Sequence, residues 1–159
     1  MDNKRLAYLL KAIIIFLSLM GFGFFAAGVP FFLSLFVEAY PEFGGIFLPW
    51  LIFLIVAAVP LYVILGLGIT VSNEIGRDNS FCMHNVKCLN GVAFCLIAES
   101  VYFFAGNTVL WLLNMNHPLI VLLSLVLSLF AASIAFAVKI LAHLIEKAVK
   151  LREENEAII

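Results

Sequence analysis

The stretch LSLFAASIAFAVKILAHLIEKAVKLREENEAII, residues 127–159, decides the fold. It opens as an apolar run and passes into a charged tail with no Gly or Pro between the two. Charges in the tail recur at helical spacing. The whole stretch therefore reads as one continuous helix that leaves a bilayer and carries an amphipathic extension into water. Outward from it, three more apolar runs reach the length of about 20 residues that a helix needs to cross a hydrocarbon core. The four expected spans are roughly residues 12–37, 46–71, 91–113 and 119–141, with a connection at 72–90 and a helical tail at 142–159. Of the 159 residues, 65% are hydrophobic and only 12% charged, which excludes an ordinary soluble domain. No strict alternation or ten-residue repeat appears, so a β-barrel is not expected. The charged start and long apolar run of residues 1–28 read as an uncleaved first helix rather than a signal peptide. The expectation is a single all-α integral membrane domain: a four-transmembrane-helix bundle with its last helix extended into the cytoplasm.

Charge sets the expected orientation. Lys4, Arg5 and Lys11 precede or open the first span; Arg77 and Lys87 sit in the middle connection; Lys139, Lys147, Lys150 and Arg152 close the chain. The other two connections carry no Lys or Arg. The positive-inside rule then places both termini and the middle connection in the cytoplasm, as for a multi-pass membrane protein. Trp50 and Trp111 fall near the opposite ends of their helices, where an aromatic belt holds them.

Few residues carry chemistry. The net charge of −1, with no basic patch able to track phosphates, argues against direct nucleic-acid binding. Cys82, His84, Cys88 and Cys95 lack the tight C-x-x-C pair of strong zinc sites, and the odd cysteine count on a reducing side argues against disulfides. The expected role of these cysteines is packing, with no metal and no cofactor. No nucleophile with an adjacent base is present, so no catalytic residue is assigned and no enzyme is expected. Glu99 is the one acid deep in a span, and Lys139 on the fourth helix is its expected partner in an intramembrane ion pair, because both side chains lean toward their own N-termini. Gly23 and Ala27, four apart, suggest a close helix approach. Pro30 and Pro60 suggest kinks, and Asn79 or Ser80 a cap for a helix starting at Phe81. Asn107 and Thr108 suggest interhelical hydrogen bonds, while His117 reads as a solvated loop residue. In the tail, Ala137, Leu141, Leu144, Ala148, Leu151 and Asn155 step by four and three residues as an a/d-like seam. That seam suits a partner helix, a homo-oligomer, the helix after Phe81, or the membrane surface.

Two stretches carry a family resemblance. DNSFCMHNVKCLNG (78–91) is similar to a pattern of a small residue, Phe, a few polar residues and N-V-K-x-L. LAHLIEKAVKLREENEAII (141–159) is similar to a closing pattern of Leu, Ala, Glu-Leu-x-x-Glu-Asn-Asp-Leu-Thr-Ile/Val. Together they resemble a bacterial membrane family termed domain of unknown function 2975. The similarity runs from about Gly76 to the end, while the first half shares only the two-span layout; Glu156, Ala157 and Ile158 stand where the family has Asp-Leu-Thr. The resemblance implies no established activity. It implies four-helix membrane proteins often encoded beside a small helix-turn-helix transcription regulator, and hence a component that holds or modulates such a regulator. Carried over by position, it marks Phe81, Asn85, Val86, Lys87 and Leu89 in the middle connection and Ala148, Leu151, Glu153, Glu154 and Asn155 in the tail. These two sets are the expected cytoplasmic interaction surface. The competing expectation is a small ion-coupled transporter, oligomeric around Glu99.

Overall fold

Each apolar run forms a helix in the computed structural model, which describes residues 3–158 apart from the side chain of Phe43. Helix α1 spans Asn3–Ala39 and contains a π-helical turn at Phe24–Gly28. A 3₁₀ turn, Pro41–Ile46, leads into α2 (Phe47–Gly76). Helices α3 (Met83–Leu112) and α4 (Pro118–Ala157) complete the chain. All four are long and apolar enough to cross a membrane. The last residue of the expected tail, Ile159, lies outside the described residues.

The two prolines have different consequences. Pro30 has no N–H to bond the carbonyl of residue 26, and its ring crowds that carbonyl. The turn before it widens to i→i+5 spacing, with Val29 N–H bonding Phe24 O, so α1 continues through a π-bulge. Pro60 sits inside an unbroken α2.

The packing is an open row, not the closed bundle that the apolar runs suggest. α1 packs on α2, α2 on α3 and α3 on α4; among the described residues, no Cα of α1 comes within 8 Å of α3 or α4, and none of α2 within 8 Å of α4. Closing the bundle requires two contact stripes on every helix. α1 buries only Ala7, Ile14 and Val29, while Phe16, Phe22, Phe31 and Phe32 are each about two-thirds exposed (60–67%). In lipid those rings cost nothing, because the solvent is as apolar as another helix.

Small residues and hydrogen bonds hold the row together. α1 and α2 are joined by Ser72 Oγ donating to Ala7 O (2.7 Å) and Tyr62 OH donating to Ser18 O (3.1 Å). Between α2 and α3, Phe53 stacks on Tyr102 and Phe103 (centroids 5.2 and 5.8 Å), and its ring occupies the space where Gly106 has no side chain. The expected approach at Gly23 is not made, since nothing would meet a Cβ there within 4 Å; on α1 the glycine against α2 is Gly21, beside Tyr62. The α3–α4 seam is the most extensive. Val86, Ala93, Ser100 and Asn107 recur every seven residues and are buried, as are Ser128, Ala135, Ala142 and Val149 on α4. That is an antiparallel, coiled-coil-like contact built mainly from small side chains.

Candidate functional site

The expected Glu99–Lys139 pair does not form. Lys139 Nζ donates instead to Asn90 Oδ1 at 2.7 Å. Asn90 precedes Glu99 by nine residues, so helical rise puts the carboxyl about 13 Å farther along α3. The lean of two side chains cannot span that depth. Glu99 makes no ion pair among the described residues, and its Oε2 is buried with no hydrogen-bond partner. Among the described residues, no cation holds it.

At the end of the row that carries the termini, the connection is shorter than expected. α2 continues to Gly76 and α3 begins at Met83, so only residues 77–82 lie between them. Asn79 does not cap α3: its Nδ2 donates to Glu74 Oε2 (2.9 Å), while the other carboxylate oxygen, Oε1, faces Arg77 Nη1 at 3.5 Å. Cys82 occupies the cap position, with no side-chain bond. Asp78 takes a left-handed φ of 58°, and its carboxylate accepts from Asn3 Nδ2 at 2.8 Å, tying the start of α1 to the turn.

The expected interaction surface divides in two. Asn85 and Val86 are 2% and 3% exposed, so they pack and present nothing. Asn85 Nδ2 donates to Ser80 O at 2.9 Å, closing the turn before α3. Phe81 and Lys87 are exposed and Leu89 is half-buried. The tail set, Ala148, Leu151, Glu153, Glu154 and Asn155, is exposed throughout. The a/d-like seam is not the face that α4 turns to α3, which is the one through Ala135, Ala142 and Val149. Leu141, Leu144 and Leu151 remain about half exposed (48–58%), so that stripe is left uncovered among the described residues. Val149 is the last buried residue of α4; the two helical turns that follow stand clear of the row. Along them, Lys150 pairs with Glu146 (2.7 Å) and Arg152 with Glu156 (2.8 Å), while Glu153 and Glu154 make no ion pair among the described residues.

Cys82, Cys88 and Cys95 are free thiols, and no group of three or more His, Cys, Asp or Glu side chains converges among the described residues. Three residues have roles that composition hides. Asn107 accepts at Oδ1 from Asn116 Nδ2 (2.9 Å), so it braces the α3–α4 turn rather than another helix. Thr108 bonds within its own helix, to Phe104 O. His117 is the N-cap of α4, with Nδ1 accepting from Leu119 N–H at 3.2 Å. The sequence signal for that cap was a polar residue directly before Pro118 at the first helical position.

The family model described as "Protein of unknown function (DUF2975)" matches residues 35–159. The chain belongs to this family. The match leaves out most of α1, one of the two end helices of the row, and takes in α2, α3 and α4. A curated relative, the uncharacterized membrane protein YoaS of Bacillus subtilis (strain 168), is 26% identical over 121 residues, covering 75% of this chain and 76% of its own. No solved structure matches. A DUF2975 chain with four membrane-length helices, similar to a Bacillus membrane protein, is a membrane protein.

Proposed function

We propose that this DUF2975 protein is a non-enzymatic membrane platform whose α4 extension, on the cytoplasmic side, holds a cytoplasmic transcription regulator. One observation carries the reading. α4 runs two turns past its last buried contact and displays a stripe of two apolar side chains and an amide, Ala148, Leu151 and Asn155, that no other described residue covers. An exposed amphipathic helix of this kind suits a partner's groove. The unpaired Glu153 and Glu154 favour a partner with a basic face, which a DNA-binding regulator has. The cytoplasmic placement rests on the basic residues collected at this end.

Crosslinking followed by mass spectrometry on solubilised protein tests it. Crosslinks from Lys147 and Lys150 to a helix-turn-helix protein are expected, and deleting residues 150–159 should abolish them while Glu99→Gln leaves them intact. A second reading, ion-coupled transport, is favoured by one feature: the buried, partnerless Glu99 Oε2. It requires the reverse pattern, with Glu99→Gln abolishing function and the tail deletion sparing it.

A further inference from the structure

The end of the row opposite the termini holds a cavity of about 810 Å³. It lies where α1 and α4 flank α2, with no Cα of one within 8 Å of the other among the described residues. Its walls are apolar: Phe24 of the π-turn, with Val29 and Leu33, faces Leu54 and Trp50 of α2 and Ile120 of α4. The Trp50 wall is fixed, since its indole Nε1 donates to Met115 O at 2.8 Å. Polar lining is confined to one place, the turn residues Asn114, Asn116 and His117. Asn116 is spent within the protein, on Asn107 and on the His117 backbone N–H. His117 uses Nδ1 for its cap, which leaves its Nε2 and the Asn114 side-chain amide, both on exposed residues, with no hydrogen bond among the described residues.

We propose that this cavity binds a single-chain amphiphile of the fatty-acid or fatty-alcohol class. The chain lies between the π-turn of α1 and Trp50, and the small head bonds Asn114 and His117. The volume lies within the ~300–1,000 Å³ usual for small-molecule sites, and an apolar pocket with a few polar groups at one end is the usual form of such sites. Charge narrows the class. All nine Lys and Arg lie toward the other end of the row, so no cation here neutralises an anionic head, whereas an amide and an imidazole suit a hydroxyl or a protonated carboxyl. Asn114 ends α3 at a left-handed φ of 58°, a conformation Asn tolerates where most side chains do not, and Met115 N–H bonds Leu110 O across that turn.

The test uses the full chain in detergent micelles with Trp111→Phe, so that Trp50 is the sole tryptophan. Titration with a brominated stearic acid is expected to quench Trp50 saturably, with one site per chain. Val29→Phe and Ile120→Phe, which fill the cavity, should weaken binding at least about tenfold. Asn114→Gly keeps the left-handed turn and removes the amide; it should weaken binding about fivefold with unchanged helix content and melting temperature, so a folding defect cannot mimic the result. Quenching that rises linearly with quencher and ignores all three substitutions would overturn the proposal. So would the same saturable curve from a brominated two-chain phosphatidylcholine, which would make the cavity a lodging for bulk lipid.

Discussion

Gly106→Ala tests how the middle of the row is packed. On an open helix face, Gly→Ala gains about 0.8–1.0 kcal/mol of helix propensity. Gly66 provides that face, since nothing would meet a Cβ there within 4 Å. At Gly106 the new methyl would fall on the Phe53 ring, with Cδ2 at 2.9 Å, and that ring is itself held by Tyr102, Phe103 and Trp50. A trapped ring cannot swing away, so overpacking costs about 1–3 kcal/mol. Set against the propensity gain, Gly106→Ala should be neutral to about 2 kcal/mol destabilising, while Gly66→Ala should be stabilising by up to about 1 kcal/mol. The same chemical change then differs by about 1–3 kcal/mol between two helices of one protein. Reversible unfolding in mixed micelles, followed by circular dichroism, measures the difference. Phe53→Leu frees the space, so the double variant with Gly106→Ala should recover part of the loss and show positive coupling. Equal effects of the two alanines, or no coupling to Phe53, would refute the packing argument.

Three other perturbations address the bonds between elements. In a double-mutant cycle, Lys139→Met should couple to Asn90→Leu by about 0.5 kcal/mol and to Glu99→Gln by nothing measurable, reversing the pairing that the sequence suggests. Ser72→Ala removes the fully buried hydroxyl that donates to Ala7 O; a loss of about 0.6–1 kcal/mol is expected, together with faster amide hydrogen exchange in the first turns of α1 but not in α4. His117→Ala should cost about 1 kcal/mol by removing the α4 cap, and His117→Asn should retain most of it, as read from thermal melts.

The spans were legible because hydropathy is a one-dimensional property, and the continuity of α4 from Pro118 to Ala157 followed from the absence of Gly and Pro between lipid and water. Which helix faces meet was much less legible. In a soluble protein, apolar stripes mark contacts, but in a bilayer Leu and Phe face lipid while Ala, Ser and Asn face neighbours. The stripe through Leu144 and Leu151 therefore drew attention as a seam, whereas the working face ran through Ala135, Ala142 and Val149. The same inversion hid Asn85 inside the fold and left Lys87 outside. Glu99 was recognised as unusual from its type and depth alone; its relation to Lys139 needed the interhelical register, which Asn90 reveals and no local pattern encodes. The π-turn was half visible: Pro30 announces a disturbed helix, but whether the helix bends, breaks or widens depends on the freedom of the turn before it.

The length of α4 has a mechanical consequence. At 1.5 Å per residue its 40 residues make a rod about 60 Å long, with no internal proline or glycine to absorb bending. The near end begins at the cavity wall beside His117 and Ile120, and the buried side chains from Ser124 to Val149 bind the rod to α3, so the two helices tilt as one body. Over a length of about 60 Å, a tilt of about 10° displaces the far tip by about 10 Å relative to the near end. A change too small to notice at one face of the membrane becomes, at the other, a displacement larger than one helical turn.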